Sequence, residues 1–155
     1  MNRSSGVLMA MSSLPSNYGI GTMGREAYKF VDWLRSAGQS LWQILPLSQT
    51  SFGDSPYQSF SIYAGNPYFI SLETLEEEGL LKHKEYADIN WCKDPRYIDY
   101  ATMYENFYKV MRLAFGRFSK GRNGNVSEEY KAFVAENPWL ENYTLFMACL
   151  LYTSP

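Results

Sequence analysis

The chain has 155 residues, of which 46% are hydrophobic and 19% charged, with a formal net charge of -2. This balance is typical of a globular domain with a packed core and not of a disordered chain. Because the charge is close to neutral, no basic surface is available for nucleic acid or for an anionic membrane, and we expect neither as a partner. The apolar run at the amino terminus is broken by Ser12 and Pro15, too soon for a secretory signal or a membrane span, so we expect a cytoplasmic protein.

The first part of the chain has the pattern of a strand, a helix and a second strand. Residues 6–11 are continuously apolar, as in a strand that is buried on both faces, and the irregular loop 12–24 follows them. Apolar residues then recur every three or four positions from residue 25, which predicts an amphipathic helix that ends at Gly38, where a left-handed residue is usual. Residues 41–47 form a second apolar run. This order predicts a βαβ unit with parallel strands and a right-handed crossover.

The loops around this unit differ in length. Segments 12–24 and 48–67, which leave the carboxyl ends of the predicted strands, are long and irregular, whereas the return at 38–40 is short. In parallel barrels and in doubly wound sheets, ligands bind at the carboxyl ends of the strands. The functional face is therefore predicted at the two long loops.

The stretch 51–68 is rich in aromatic residues although it has no helical or strand periodicity. Its aromatic members are Phe52, Tyr57, Phe60, Tyr63 and Tyr68, and its short polar members include Asp54, Ser55, Gln58, Ser59 and Asn66. Aromatic faces beside polar groups suit a ligand that has both apolar and hydroxylated surfaces, such as a sugar ring.

The second half of the chain is predicted to be helical. Ser71 caps a short helix over 72–78, residues 83–99 form a connector, and a long apolar stripe predicts a helix over 100–118. Ser127 caps a further helix. A last helix starts after Asn137 and Pro138, with six residues predicted to face inward: Trp139, Leu140, Tyr143, Phe146, Met147 and Leu150.

Two patterns point to chemistry, but only weakly. Residues 19–24 fit the glycine spacing of a dinucleotide-binding turn, yet no acidic residue follows about twenty positions later, which favours loop packing instead. Asp54 is the only acid of the central loop, whereas retaining chemistry at a glycosidic bond needs two carboxyl groups about 5 to 5.5 Å apart. We interpret Asp54 as a turn former or as a hydrogen-bond partner of the substrate.

The cysteines and the histidine indicate no further site. Cys92 and Cys149 stand far apart and lack a C-x-x-C grouping, so neither a disulfide framework nor a zinc site is predicted. His83 is flanked by Lys82 and Lys84, a setting that favours an exposed residue over a catalytic base.

A set of motifs in this order carries a family resemblance: SLP, YGIG, WQILPL, GDSPYQSFS and AGNPY. In their order and spacing the chain resembles the amino-terminal part of the 4-α-glucanotransferases, also called amylomaltases, of glycoside hydrolase family 77. A weaker similarity continues from Asp99 and Tyr100 towards the end, so that nearly the whole chain is covered. The resemblance implies an α/β protein: the first βαβ portion of a (β/α)8 barrel over residues 1–70, a helical inserted subdomain over 71–148, and a non-native tail over 149–155.

The resemblance also implies an activity, the transfer of α-1,4-glucan segments between maltodextrins by a retaining double displacement. An Asp nucleophile forms a glycosyl-enzyme intermediate, and a Glu acts as acid and base. These carboxylates are expected on later strands, beyond Pro155, so no catalytic residue is assigned and the chain is expected to be an inactive fragment. No organic cofactor and no metal are implied, and the expected partner is an α-1,4-glucan.

Three site residues follow from the resemblance by position. Tyr57 matches the family tyrosine at the sugar subsite beside the cleavage point, and Asp54 and Ser55 are expected to hold the turn and line the same cleft. Phe52 and Tyr104 are predicted as a remote glucan contact, with core packing as the alternative for Tyr104.

The sequence also departs from the family at two places. Ala10-Met11-Ser12 stand where His-Pro-Thr is frequent, and Ser48-Gln49 stand where Gly-Pro is frequent; we expect both changes to alter the shape of the site. Two other functions stay open, a stand-alone maltodextrin-binding module and a helical interaction protein. The binding module would expose the apolar face of its two strands and should aggregate.

Overall fold

The computed structural model describes residues 3–50, 53–121 and 127–153, with the side chains given as far as residue 150. In chain order the strands and helices are β1 (Gly6–Leu8), α1 (Arg25–Ser36), β2 (Leu41–Gln43), α2 (Leu72–Glu77), α3 (Tyr100–Phe118), α4 (Glu128–Glu136) and α5 (Trp139–Thr153). Short 3-10 turns occur at Met11–Ser13, Pro67–Phe69 and His83–Glu85.

The predicted βαβ unit is confirmed. β1 and β2 pair in parallel, with Val7 opposite Trp42. The pairing is extended by the Met9 N–H, which donates to the Gln43 carbonyl at 3.0 Å, and by the Trp42 indole N–H, which donates to the Met9 carbonyl at 2.9 Å. Gly38 follows α1 with φ of 70°, as predicted for a residue that ends a helix in the left-handed conformation.

The strands are shorter and more open than predicted. Each has three residues, because the chain turns into a 3-10 helix at Met11 after β1 and meets Pro46, which has no N–H to donate, after β2. Leu8 is 60% exposed and Leu41 57% exposed. The prediction that the first strand is buried on both faces is therefore wrong within the described residues, where the sheet contains only these two strands.

The core lies on one side of the βαβ unit, between loops and helices. Its most buried members are Tyr86, Trp91, Met103, Phe107 and Val110, each at most 2% exposed. The last three lie on the predicted apolar stripe of α3. The first two come from the connector 83–99, where the sequence showed little periodicity.

Hydrogen bonds and ring contacts hold the connector in the core. The Tyr86 carbonyl accepts from the Trp91 indole N–H at 2.9 Å, and the Tyr86 hydroxyl donates to the Glu76 carboxylate of α2. The Tyr18 ring meets the Tyr86 ring edge to face at 4.9 Å. His83 is exposed, as predicted, and its Nδ1 lies 3.1 Å from Glu76.

The glycine-rich loop is a packing loop. Gly19 has φ of 83°, and a Cβ there would lie 2.7 Å from the Met103 sulfur and 3.0 Å from the Trp91 carbonyl. A Cβ on Gly21 would overlap the Met11 carbonyl and lie 2.8 Å from the Leu14 nitrogen. Close backbone approach explains both glycines without a nucleotide.

Contacts group the chain into two compact units, Met1–Ala114 and Phe115–Pro155. In the second unit, the Ser127 hydroxyl accepts from the Tyr130 N–H at 3.2 Å and caps α4 as predicted, while the Trp139 and Tyr143 rings of α5 meet at 5.8 Å. Phe146 is 47% exposed, so the prediction that it faces inward is wrong for this residue. The division into residues 1–70, 71–148 and 149–155 stays a prediction.

Among the described residues, no helix combines the length and the apolar character that crossing a membrane requires.

Candidate functional site

A cavity of about 270 Å³ lies at the carboxyl ends of β1 and β2. The loop after β1 contributes residues 10–13, and the chain after β2 contributes residues 45–48, Thr50, Asp54 and Pro56. Asn66, Phe69 and Tyr100 complete its lining. The two loops that follow the strands thus meet at one site, as expected for parallel strands.

Both places where the sequence departs from the family lie at this cavity. Ala10, Met11 and Ser12 line it from the first loop, and Ser48 lines it from the second. Ser48 is also fixed by an isolated bridge to Gly65. The departures therefore act directly on the shape of the cavity.

Asp54 is the only acidic residue in the cavity lining that the structure describes. Its backbone has φ of 56°, a left-handed conformation that Asp tolerates better than most residues. Burial raises the pKa of the Asp54 carboxyl above its ordinary value, because desolvation disfavours the charged form. This carboxylate can accept hydrogen bonds from a hydroxylated ligand in the cavity.

Ser55 and Tyr57 form the turn beside Asp54. The Ser55 carbonyl accepts from the Gln58 N–H at 3.1 Å, and the Ser55 hydroxyl accepts from the Tyr57 N–H at 3.4 Å. Pro56, between them, lines the cavity, whereas Ser55 and Tyr57 are not among its described lining residues. Tyr57 itself is 74% exposed, so its ring is accessible to a ligand and is not part of the core.

The predicted remote contact is only partly described. Phe52 lies outside the described residues. Tyr104 is 44% exposed on α3, and its ring meets that of Tyr108 edge to face at 5.6 Å. Tyr104 is therefore neither fully in the core nor free of packing, and its role with Phe52 stays a prediction.

Asn66, one of the polar residues of the aromatic stretch, lines the cavity and has a structural role that the sequence did not assign to it. Asn66 is buried, its N–H donates to the Leu47 carbonyl at 2.7 Å, and its side-chain oxygen accepts from the Tyr68 N–H at 3.0 Å. These bonds tie the end of the aromatic loop to the chain that follows β2. An Asn-Pro pair after an aromatic stretch is the local signal of such a turn.

Tyr100 is the tyrosine of the described cavity lining, and the Tyr68 ring packs next to it. The Tyr68 ring lies 6.3 Å from the Tyr100 ring and 5.1 Å from the Phe107 ring, centroid to centroid. Burial raises the pKa values of both tyrosines, and the nearby Asp54 carboxylate raises them further. Both hydroxyls therefore stay protonated near neutral pH and can donate hydrogen bonds. The sequence placed Tyr100 only at the start of a helix.

The polar groups of the described lining suit the binding of a hydroxylated ligand. The described lining combines the Tyr100 ring, serine hydroxyls and one carboxylate, a set that fits a neutral hydroxylated ligand. It holds no second carboxyl group beside Asp54, whereas retaining glycosidic chemistry requires a pair.

Comparison with known proteins places this chain in a family. The sequence profile of glycoside hydrolase family 77, described as 4-alpha-glucanotransferase, matches residues 9–153. A 4-alpha-glucanotransferase of Clostridium butyricum is 50% identical over 141 residues, covering 90% of this chain and 28% of that protein. One of Thermus thermophilus is 41% identical over 151 residues, covering 94% of this chain and 28% of that protein.

A solved structure agrees with the sequence comparisons. The amylomaltase of Streptococcus agalactiae, determined in complex with acarbose, matches with a TM-score of 0.92 and 44% identity, covering 97% of this chain and 30% of that one. The chain thus spans less than a third of the length of the relatives it matches. With the profile matching nearly all of its residues, the chain belongs to the 4-alpha-glucanotransferase family, glycoside hydrolase family 77.

Proposed function

We propose that this chain forms the amino-terminal part of the (β/α)8 barrel of a 4-α-glucanotransferase, an enzyme that transfers α-1,4-glucan segments between maltodextrins. In this proposal β1, α1 and β2 are the first barrel elements, and residues 71–148 are a helical insertion. The observation that carries it is the hydroxyl-rich cavity at the carboxyl ends of two parallel strands, the position at which barrels bind their ligands.

The chain's own residues bind and orient the glucan. The Tyr57 ring stacks on the glucose unit beside the cleavage point, a contact worth about 1 kcal/mol beyond the area that it buries. Asp54 accepts hydrogen bonds from sugar hydroxyls, and Ser55 holds the turn that presents both residues. The exposed fraction of Tyr57, 74%, leaves its face free for this contact.

The bond-breaking groups are supplied by later strands. The proposed reaction is a double displacement in which an Asp attacks the sugar, a Glu protonates the departing oxygen, and a sugar hydroxyl of the acceptor then replaces the Asp. Because Asp54 is the only acid in the described cavity lining, this chain alone is predicted to be inactive. The cytoplasmic location stays a prediction.

The test is to join this chain in frame to the remaining part of the Clostridium butyricum relative. We expect the joined protein to release glucose from maltotriose by disproportionation and the isolated chain to release none. Tyr57→Ala should lower kcat/KM by about tenfold, because a stacked ring contributes about 1 to 1.5 kcal/mol. The kcat/KM of Tyr57→Phe should lie between that of the unsubstituted protein and that of Tyr57→Ala. Tyr28, which is 73% exposed on α1, provides the matched control, and Tyr28→Ala should leave kcat/KM unchanged.

Glucose release by the isolated chain would contradict its predicted inactivity. Absence of transfer by a folded joined protein, together with saturable maltoheptaose binding by the isolated chain, would favour the stand-alone binding module instead.

A further inference from the structure

A second cavity, of about 500 Å³, lies beside the first. The two cavities share Ser12, Ser13 and Tyr100, so these residues form a common wall. Residues 95–98 of the connector also line the second cavity. Its volume is within the range of small-molecule sites, about 300 to 1,000 Å³.

The described lining of the second cavity carries no free charge. Arg96 is the only charged residue among the lining residues that the structure describes, and its guanidinium is paired with Asp94, with Nη2–Oδ2 and Nε–Oδ1 distances of 2.7 and 3.0 Å. Hydrogen bonds from Arg96 hold the pKa of the Asp94 carboxyl below its ordinary value. An anionic ligand would have to compete with this carboxylate, so the cavity favours a neutral one.

Tyr97 presents an open ring at this cavity. It lines the cavity and is 73% exposed, and the Arg96 Cζ lies 6.0 Å from its ring centroid. The Arg96–Asp94 pair fixes the turn that carries this ring, since the Arg96 N–H also donates to Asp94 at 3.0 Å. An exposed aromatic face beside serine hydroxyls is again suited to a sugar.

We propose that the second cavity is a further subsite for the same glucan. An α-1,4-glucan in the Asp54 cavity continues past the common wall of Ser12, Ser13 and Tyr100 and places its next glucose units against Tyr97. This inference rests on the proposed function. It makes long maltodextrins bind more tightly than short ones, because only a long chain reaches both cavities.

The first measurement is calorimetric binding of maltotriose and maltoheptaose to the 155-residue chain. We expect Tyr97→Ala to weaken maltoheptaose binding by about five- to tenfold, the effect of losing one stacked ring, and to affect maltotriose by less than about twofold. Tyr97→Phe should retain most of the affinity for maltoheptaose. Tyr28→Ala, which removes an equally exposed tyrosine from α1, should leave the affinity for both sugars unchanged.

The second measurement uses Cys92, a half-buried free thiol that lines the second cavity. In a Cys149→Ser background, we expect saturating maltoheptaose to slow the alkylation of Cys92 by iodoacetamide. Maltotriose should protect Cys92 much less. Tyr97→Ala should remove the protection at the concentration that saturates the parent chain.

The outcomes separate this inference from the proposed function. Maltoheptaose binding that is lost in Tyr57→Ala but unchanged in Tyr97→Ala, with Cys92 unprotected, would overturn the second subsite alone. So would absence of maltodextrin binding by the chain while the joined protein transfers glucan. Equal weakening of both sugars by Tyr97→Ala would also contradict it, because a remote subsite contacts only the longer sugar.

Discussion

Two regions of the Met1–Ala114 unit use apolar side chains in opposite ways. In the core, residues such as Phe107 and Tyr86 are at most 2% exposed and come from helices and from an irregular connector. On the βαβ unit, Leu8 and Leu41 are more than half exposed although they stand in strands. In most α/β proteins the parallel strands are the most buried elements.

This difference shows which part of the structure buries its own apolar surface. The loops and helices around α3 bury their apolar surface against each other, whereas the two strands present apolar surface that no described element covers. In the proposed barrel, the later strands cover it. The ligand cavities lie between the two regions, where the loops after the strands reach the core at Tyr100.

The sharpest test of the comparison is Phe107→Ala in the core. Phe107 is 2% exposed, and we expect a loss of about 3 to 5 kcal/mol in the free energy of unfolding, because the substitution leaves a cavity. Urea unfolding followed by circular dichroism measures it. Phe115→Ala on the same helix, where the ring is 64% exposed, should cost less than about 1 kcal/mol. Equal losses would show that the core is not packed as described.

A substitution in the glycine-rich loop 12–24 should give the next largest loss of stability. Gly21→Ala places a Cβ against the Met11 carbonyl and 2.8 Å from the Leu14 nitrogen, and we expect it to destabilise the chain by about 1 to 3 kcal/mol through overpacking. At Gly65 an added Cβ meets nothing within 4 Å. Gly65→Ala should therefore be close to neutral in the same urea unfolding measurement, and a neutral Gly21→Ala would contradict the close approach.

The pairing of Tyr86 with Glu76 predicts a pH dependence. The hydrogen bond from Tyr86 holds the pKa of the Glu76 carboxyl below its ordinary value, with His83 adding to the effect. A lowered carboxyl pKa contributes stability above the unfolded-state pKa, and this stability is lost as the pH falls through the folded-state value.

Tyr86→Phe should therefore lower the free energy of unfolding near neutral pH and lower it less in acid. Unfolding free energies measured across the acidic range provide the check. A loss that is independent of pH would mean that Glu76 does not depend on the hydroxyl.

The Asp54 carboxyl should affect the pH dependence of stability in the opposite way to the Glu76 carboxyl. Burial raises the pKa of its carboxyl, so the folded chain loses stability as the pH rises from the ordinary value through the raised one. At pH values above this range, we expect Asp54→Asn to stabilise the chain slightly. At pH values below the range, we expect no such effect. At the same time the variant should bind maltodextrin more weakly, which would be typical of a site residue and not of a structural one.

The smallest expected effect is on the open face. Leu41→Ala, at a position 57% exposed, should change the free energy of unfolding of the isolated chain by less than about 0.5 kcal/mol. In the joined protein the same change should cost about 2 to 5 kcal/mol if later strands bury this side chain. An equally small effect in the joined protein would show that the face stays open.

Much of the local structure could be predicted from the chain alone. The periodicity of α1 and α3, the caps at Ser71 and Ser127, and the left-handed Gly38 are confirmed, because each depends on a few neighbouring residues. The cavity at the two long loops also followed from topology. The roles of Tyr57, Ser55 and Asp54 as glucan-binding residues stay predictions.

Other features depended on contacts between distant segments. Nothing local marks Trp91 for the core or Tyr100 for the wall of both cavities, since their burial depends on loops more than seventy positions earlier in the chain. Burial of the first strand was predicted from its apolar composition, but composition does not provide the partners that cover it.

The sequence by itself therefore determined the helices, their ends, the parallel pair and the family, because these follow from short-range periodicity and from motifs in order. Only the tertiary structure decided which apolar residues are covered and which hydroxyls meet around Asp54. Burial and cavity shape are set by how separate segments pack together, and no single stretch of the chain contains that information.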